Sequence, residues 1–477
     1  MFVQKNIQGK PLASAWYRKL LTPILAIICV LAIFFVGRAL LVYAQAALGF
    51  LSANTVQVVS KNFWQDMQKD SFGNINILLI GHGGIGHDGW LLADTIIVAS
   101  RNPEKNAVTM ISVPRDLYVD IPEHTISGRI NYVFAAWYQQ FGTLDGAARM
   151  LSQEIYDLTS LKIPYYAVVD FWWFKDVVDA VWGVDVDVPE RIYDTTYPNA
   201  ENRGYETFYV ERWLQHFDGE MALKYARSRH TTSDFSRSAR QQQIIQAIIT
   251  KLLSSPDIRN VSTIKKLYGQ YTTMVKTNIS LKEIIGMLQY VFSLQHIFNF
   301  GLTSECGYRS YESSKPGCFL YVPNRDAFNG ASVMIVNGAT ASDLGNYTYT
   351  QNFGYFVAHN QGYLIETARL GIKNAITKDF ARSLGKNNEW QATQVGVKLV
   401  KYWFNIVAAG NADTGSDTTR IVIYGTWEYP ETINTLQKFL PIPTIVRDVR
   451  VVTWVDMELI LWNDYLQQLT GSFNYNM

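Results

Sequence analysis

Hydrophobic and polar positions along the chain predict three regimes in turn: one uncharged apolar run, a series of short strand-like runs alternating with helical stripes, and a second, shorter series of the same kind. From Leu20 to Val36 the sequence LLTPILAIICVLAIFFV carries no charge, and after Gly37 and Arg38 it resumes as ALLVYAQAALGF. Such a run is near the minimum for crossing a bilayer, so one N-terminal transmembrane helix is predicted over 20–45, with Arg38 snorkelling to the interface or closing the span. A cleaved signal peptide would have a shorter apolar region and a small-residue cleavage site, for which Ala44–Ala47 is a poor match. A linker over 46–73 follows. INILLI (75–80), TIIVAS (95–100) and AVTMISVP (107–114) are then continuous apolar runs of the kind that form buried strands in a sheet covered on both faces. Helical spacing appears at 143–158 and at 171–182, the latter with Phe174, Val177, Val178 and Val181 on one face, before the strand pattern VDVDVP. A longer stripe of Ile244, Ile245, Ile248, Ile249, Leu252 and Leu253 predicts a helix starting near Ser236 or Ser238. The alternation argues an α/β layered domain through about residue 255, closed by a helical region over 260–295. A strand ASVMIVNG near 331, a turn-rich break NIVAAGNADTGSDTT and a strand RIVIYG then predict a second, smaller α/β domain from 328 to the end.

Composition narrows the partners. With 477 residues and 48% hydrophobic content the chain can bury a large core. A net charge of +1 with 17% charged residues gives no global basic excess, so no nucleic-acid partner is expected and any polyanion must be met locally. Lys5, Lys10, Arg18 and Lys19 precede the apolar run, which leaves the tail 1–19 in the cytoplasm and everything after about residue 50 outside the cell membrane. ATP and NAD are scarce on that side, whereas lipid-linked substrates are presented there. Cys29 lies in the span, while Cys306 and Cys318 bound the loop CGYRSYESSKPGC on the oxidising side, where a disulfide is expected. Neither has a further Cys or His at zinc-ligand spacing.

The densest group of fixed positive charges is the stretch YARSRHTTSDFSRSARQQQ, Tyr225 to Gln243. On extended backbone Arg227 and Arg229 would leave the same face about 7 Å apart, a spacing that suits two linked phosphates. Arg237, Arg240 and Gln241 fall in the first turns of the predicted helix, where free N–H groups and the positive end of the dipole favour an anion. Ordinary surface ion pairs are the alternative for the same arginines. Upstream, Pro114-Arg115-Asp116 puts a cation and a carboxylate at a strand end, where α/β sites form, and Arg129-Ile130-Asn131 adds a cation beside an amide. Gly81-His82-Gly83-Gly84-Ile85-Gly86 spells a dinucleotide fingerprint, but the next strand begins too soon for a crossover helix. Its glycines instead allow close backbone approach, and Asp94 ends the loop as a turn cap or a metal ligand.

In order, NILLIG, LADTIIVAS, VTMISVPRDLYVDIP, RINYVFAAW, VVDAVWGVDVDVP, FDGEMALKYARSRH and DFSRSARQQQ resemble the successive blocks of the LytR-CpsA-Psr family over roughly 74–255. The resemblance implies an α-β-α layered catalytic domain with a central mixed sheet, bounded here at 74–300 and followed by a cysteine loop at 301–327. It also implies a phosphotransferase that moves a phosphorylated glycopolymer from a polyprenyl pyrophosphate carrier at the membrane lipid surface onto a peptidoglycan hydroxyl, with Mg2+ (or Mn2+) at the pyrophosphate. Carried over by position, the pyrophosphate arginines fall on Arg115, Arg227 and Arg229, the polar contact on Gln241 and the metal carboxylate on Asp94. Arg129, Asn131, Arg237 and Arg240 are expected as further substrate contacts. Asp116 is a candidate to accept the acceptor's proton or to orient Arg115. Two positions depart from the family pattern: Gly83 stands where a second metal carboxylate is usual, and Leu92 and Ala93 precede Asp94 where an arginine and a serine are usual. His82, His87 or Asp88 could compensate for the missing ligand. The region 328–477 is similar to the LytR C-terminal domain in SVMIVNG, NFGYFV, TTRIVIYGTWEYPETINTLQKFL and VDMELILWNDY, with an insertion near 362–415. A lipid pyrophosphate hydrolase, and a non-catalytic carrier or cell-wall binding protein, would use the same arginines. Phe171, Trp172, Trp173 and Trp182 are candidate walls of a lipid groove, or ordinary core.

Overall fold

The computed structural model describes residues 67–468 apart from 85–88, 103, 122–125, 181, 200–203, 229–233, 255–275, 281–282, 284–293, 305–318, 413–417, 441–443, 451 and 453. The predicted span, Cys306, Cys318, Arg229, His87, Asp88 and most of the predicted helical region 260–295 lie outside the described residues. Among the described residues no helix is long and apolar enough to cross a membrane.

The three apolar runs become β1 (Ile75–His82), β2 (Ala93–Asn102) and β3 (Ala107–Ser112), paired antiparallel in that order. A hairpin of β4 (Tyr118–Ile121) and β5 (Ile126–Arg129) leads into α1 (Ile130–Phe141) and α2 (Leu144–Thr159). Helix α2 starts where the Thr143 hydroxyl accepts from the Gly146 N–H and stops at Ser160 in the left-handed conformation. Next come β6 (Tyr165–Asp170), α3 (Phe171–Ala180), β7 (Val184–Val188), β8 (Ile192–Pro198), β9 (Tyr205–Val210) and β10 (Trp213–Phe217). β8 pairs with β9 and β7 with β10, each antiparallel. Then α4 (Gly219–Arg227), α5 (Asp234–Ser254), β11 (Lys276–Thr277) and β12 (His296–Gly301) complete the first half.

The central sheet runs β11-β6-β1-β2-β3-β12 and is mixed, because β6 lies parallel to β1 and β12 parallel to β3. Its strands are apolar on both sides for a visible reason. Leu78, Ile80, Ile96, Val98 and Ile111 face a core shared with Trp137, Leu151 and Ile155 of α1 and α2, while Ile97, Ala99, Val108 and Met110 face Ile245 of α5.

Two local expectations are corrected. Arg227 is not on extended backbone: Asp218 caps α4 by accepting from the Met221 N–H, Ala222, Leu223, Tyr225 and Ala226 are buried, and the helix runs through Arg227. Ser228, at φ −57° and ψ 140°, has left the helix. The stretch NIVAAGNADTGSDTT, read as a break, opens with a strand whose backbone groups pair with a neighbouring strand of a second sheet.

That second sheet follows β13 (Leu320–Tyr321), β14 (Ile335–Val336), α6 (Thr348–His359) and α7 (Gln361–Glu366). It contains β15 (Arg369–Asn374), β16 (Asn405–Asn411), β17 (Arg420–Tyr424), β18 (Thr444–Asp448) and β19 (Met457–Leu461) in the order β16-β15-β19-β17-β18. The two sheets share one core. Phe353 of α6 lies within 4.2 Å of Phe319, 5.6 Å of Trp403 and 6.1 Å of Phe300 between ring centroids, and is fully buried. Helix α6 also takes hold of the chain just ahead of β1. The His359 Nε2 is 2.9 Å from Asp70 Oδ2, both side chains being buried, and Asn74 Nδ2 donates to the Ala358 carbonyl at 3.0 Å.

Candidate functional site

At the ends of β1, β2 and β3 nearest α4, two cavities meet. The first is apolar and narrow, lined by Leu79, Ile80, Ala167, Val169, Phe174 and Ile248 among others, and it runs between the sheet, α3 and α5. The second holds about 550 Å³ and is lined by Asp94, Arg115, Asp194, Thr196, Tyr197, Arg237 and their neighbours. Phe171, Arg227 and Gln241 belong to both. One end of the combined space is therefore hydrocarbon and the other carries three guanidinium groups.

Each cation is placed by a local device. Arg115 follows β3 and donates from Nη1 to Asp94 Oδ1 at 2.5 Å, while its Nε lies 3.5 Å from Asp116 Oδ2. Asp116 in turn lies 3.4 Å from the Arg129 Nε, and Arg129 Nη2 donates to the Ser332 carbonyl at 3.0 Å. The charges thus alternate along Asp94, Arg115, Asp116 and Arg129. Asp116, Arg129 and Asn131 do not line the cavity; the Asn131 N–H donates to the Arg115 carbonyl at 3.2 Å and fixes the turn.

Arg227 rides over the Phe171 ring with its guanidinium carbon 4.6 Å from the centroid, and 5.8 Å from that of Tyr197. Burial pushes the Tyr197 phenol up to about 12, against the opposing pull of Arg227, so the ring faces the cation as a neutral hydroxyl. Arg237 and Gln241, four residues apart, share the helix face that looks into the cavity. Arg240 is turned elsewhere: its Nε donates to the Tyr225 carbonyl at 3.0 Å and its Nη2 to that of Ser228, so it joins the start of α5 to the end of α4. The neighbouring glutamines divide the remaining work by helical phase. Gln242 Nε2 donates to Ser112 Oγ and the Phe300 carbonyl at 2.9 Å each, pinning α5 to the sheet, and the Tyr225 hydroxyl donates to Gln243 Oε1 at 2.7 Å.

Reading the sequence missed the β8–β9 hairpin. Asp194, 2% exposed, accepts from Ser228 Oγ at 2.7 Å and from the Thr196 N–H at 3.0 Å. It ties the hairpin to the residue that follows Arg227. The signal was there, since Asp194 occupies an inward register beside Ile192, and a carboxylate facing inward needs a partner. Asp194→Ala is expected to lower stability by about 1.5 to 3 kcal/mol, and Ser228→Ala by about 1 kcal/mol. Chemical denaturation of both variants measures the difference, and equal midpoints for the two and the parent would refute the strut.

The residues present suit a metal ion only jointly with a ligand. Among the described residues no group of three or more His, Cys, Asp or Glu side chains could hold a metal. Asp94 is one carboxylate on the cavity wall, already bonded to Arg115. A single carboxylate is enough for Mg2+ when phosphates and water supply the rest of the shell. His82 is buried beside it, with Nδ1 2.8 Å from the Trp90 carbonyl, and burial holds it below the usual imidazole range despite the nearby Asp170 and Asp94. Gly84, at φ +80°, lets the loop pass the Asp170 side chain; a Cβ there would lie 3.0 Å from that of Asp170. Phe171 and Phe174 line the apolar cavity, whereas Trp172 and Trp182 are exposed.

Comparison with known proteins places these residues in a wider set. The model of the LytR_cpsA_psr family matches residues 49–309, more than half of the chain. Polyisoprenyl-teichoic acid–peptidoglycan teichoic acid transferase TagV of Bacillus subtilis is 30% identical over 230 residues, 48% of this chain and 54% of that protein. The match thus spans about half of that relative's length. TagT of the same organism, a transferase with the same descriptive name, is 28% identical over 54% of this chain and 74% of its own. Among solved structures, B. subtilis TagV aligns with a TM-score of 0.43 at 26% identity, covering 60% of this chain and 98% of that one. TagT bound to LIIa-WTA aligns with a TM-score of 0.40 at 21% identity, covering 61% and 92%.

Proposed function

The chain belongs to the LytR-CpsA-Psr family, and from that premise we propose that it transfers a phosphorylated glycopolymer from a polyprenyl pyrophosphate carrier to a peptidoglycan hydroxyl. The observation that carries this reading is the junction of an apolar cavity with an arginine-lined one at Phe171, Arg227 and Gln241. A prenyl chain suits the first and two linked phosphates the second. The relatives' names, which speak of polyisoprenyl-teichoic acid and of peptidoglycan, support the same donor and acceptor classes.

In this reaction the acceptor oxygen bonds to the phosphorus that carries the polymer. The bond from that phosphorus to the bridging oxygen breaks, polyprenyl phosphate leaves with the electron pair, and the proton of the acceptor hydroxyl passes to the departing phosphate. Phosphoryl transfer asks the protein mainly for position and for positive charge around the group in flight. Arg115, Arg227 and Arg237 supply the charge, Gln241 adds an amide donor, and Arg229 is proposed to extend the set. Arg115 is held in aim by Asp94 on one side and Asp116 on the other, so we assign Asp116 to orienting that arginine. The loose transition state needs little help from a base. The wall carboxylates are in any case engaged, Asp94 by Arg115 and Asp194 by Ser228 and Thr196. Asp94 would hold a Mg2+ or Mn2+ ion together with phosphate oxygens, and such an ion supplies further neutralisation of the pyrophosphate.

We further propose the setting: residues 20–45 span the membrane, the bulk of the chain lies outside, and residues from 328 form a C-terminal unit that belongs to the same assembly. The test is a reconstitution of the full chain with a polyprenyl pyrophosphate-linked glycopolymer and peptidoglycan. Phosphodiester-linked product that disappears with EDTA and returns with Mg2+ is expected. Release of free phosphorylated polymer alone would make the protein a hydrolase, and binding without any product would make it a carrier.

A further inference from the structure

The two cavities give a bound lipid a direction. Leu79, Ile80, Ala167 and Val169 line only the apolar one, whereas Thr196, Tyr197, Pro198 and Tyr205 line only the polar one. With the prenyl chain in the first and the phosphates among the arginines, whatever is attached to the outer phosphate leaves past the β8–β9 hairpin. Tyr205 stands on that path. It opens β9 opposite Pro198, lines the cavity and is nevertheless 73% exposed. The other hairpin tyrosines are engaged: Tyr193 and Tyr209 meet edge to face with centroids 6.3 Å apart, and Tyr197 faces Arg227. Among the described residues no ring or cation covers Tyr205.

An aromatic face left bare at the lip of a phosphate site, on a side chain with two rotatable bonds and a polar tip, matches the C–H face and hydroxyl rim of a pyranose ring. We propose that Tyr205 is the platform on which the first sugar of the lipid-linked donor stacks, so that this residue selects glycosylated over bare pyrophosphate lipids. The inference rests on the lipid pyrophosphate reading of the cavity. It adds a specificity determinant that no phosphate contact can provide, since the phosphates are the same for every donor.

The experiment uses the full chain in detergent with two probes, farnesyl pyrophosphate and the same lipid carrying N-acetylglucosamine on its outer phosphate. Tyr205→Ala is expected to weaken the sugar-bearing probe roughly three- to tenfold, the size of one ring contact, and to leave the bare probe unchanged. Tyr205→Phe should restore most of the loss, because the face and not the hydroxyl does the stacking. Equal losses for both probes would reduce Tyr205 to a structural part of the hairpin and overturn the proposal, as would no loss for either. A raised KM for the cell-wall acceptor with both probe affinities intact would assign the ring to the acceptor and overturn it as well. Failure of the parent protein to bind even the bare probe would overturn the lipid reading itself, and the sugar platform with it.

Discussion

Arg227→Ala is expected to weaken binding of a bare prenyl pyrophosphate at least tenfold and to slow transfer on the order of a hundredfold or more. A charge-assisted hydrogen bond is worth about 1.5 to 3 kcal/mol, and removing a donor aimed at developing charge costs a further share of the rate. Arg227 should show the larger effect of the cavity's cations because it stands where hydrocarbon gives way to phosphate, with one aromatic face below it and another beside it. It is half-buried there, and a charge in such a place interacts more strongly than on an open surface. Arg227→Lys keeps the charge but loses the planar fork and its stacking on Phe171, so it should recover binding only in part. Arg191→Ala, at an exposed position outside the cavity, is the control. Isothermal titration and product formation measured on all three variants decide the matter. A parent-like Arg227→Ala would remove the centre of the proposed site.

Phe353→Ala should cost about 3 to 5 kcal/mol, the range for emptying a fully buried aromatic position. The informative part is how the loss is distributed. Phe353 touches Phe300 from the first sheet, Phe319 from the segment between the sheets, and Tyr402 and Trp403 from the turn that leads into β16 of the second. The cavity should therefore weaken both halves together, and urea denaturation should stay a single transition with a lowered midpoint. Intrinsic fluorescence reads tryptophans of both halves, and lipid-probe binding reports the first half by itself. A variant in which the second sheet melts first while the probe still binds would show that the core is not shared.

What the sequence disclosed and what it concealed divide along physical lines. β1, β2 and β3 could be read as continuous apolar runs because both their faces are buried, which leaves no polar phase to confuse the pattern. α2 and α3 fell within a few residues of expectation, since a single apolar stripe defines each. Arg115, Arg227, Arg237, Gln241 and Asp94 were singled out by the density of charge near strand ends and a helix start together with the family resemblance, and all five line one cavity. Arg129, Asn131 and Arg240 were grouped with them by proximity in sequence. Proximity does not report direction, and the β4–β5 hairpin and the phase of α5 turn these three to other tasks. The β8–β9 hairpin stayed hidden for a different reason: its alternation resembles that of any surface hairpin, and Asp194 meets Ser228 only through the tertiary fold.

The grip of α6 on the chain ahead of β1 has a mechanical consequence. If the chain is mounted on a span that ends near residue 45, as proposed above, the first fastenings among the described residues are the Gln68 N–H on the Tyr165 hydroxyl and the Asp70–His359 pair with Asn74 on Ala358, and the stretch between sets the reach. At about 3.3 Å for each fully extended residue, 25 residues reach at most roughly 80 Å, and a relaxed chain reaches far less. With that anchor the mouth of the cavity would stay in a shell close above the bilayer, and its bearing toward the lipid surface would depend on where α6 grips the chain. A substrate that cannot leave the membrane would then be sought by a protein that cannot wander from it, and the search would take place in two dimensions.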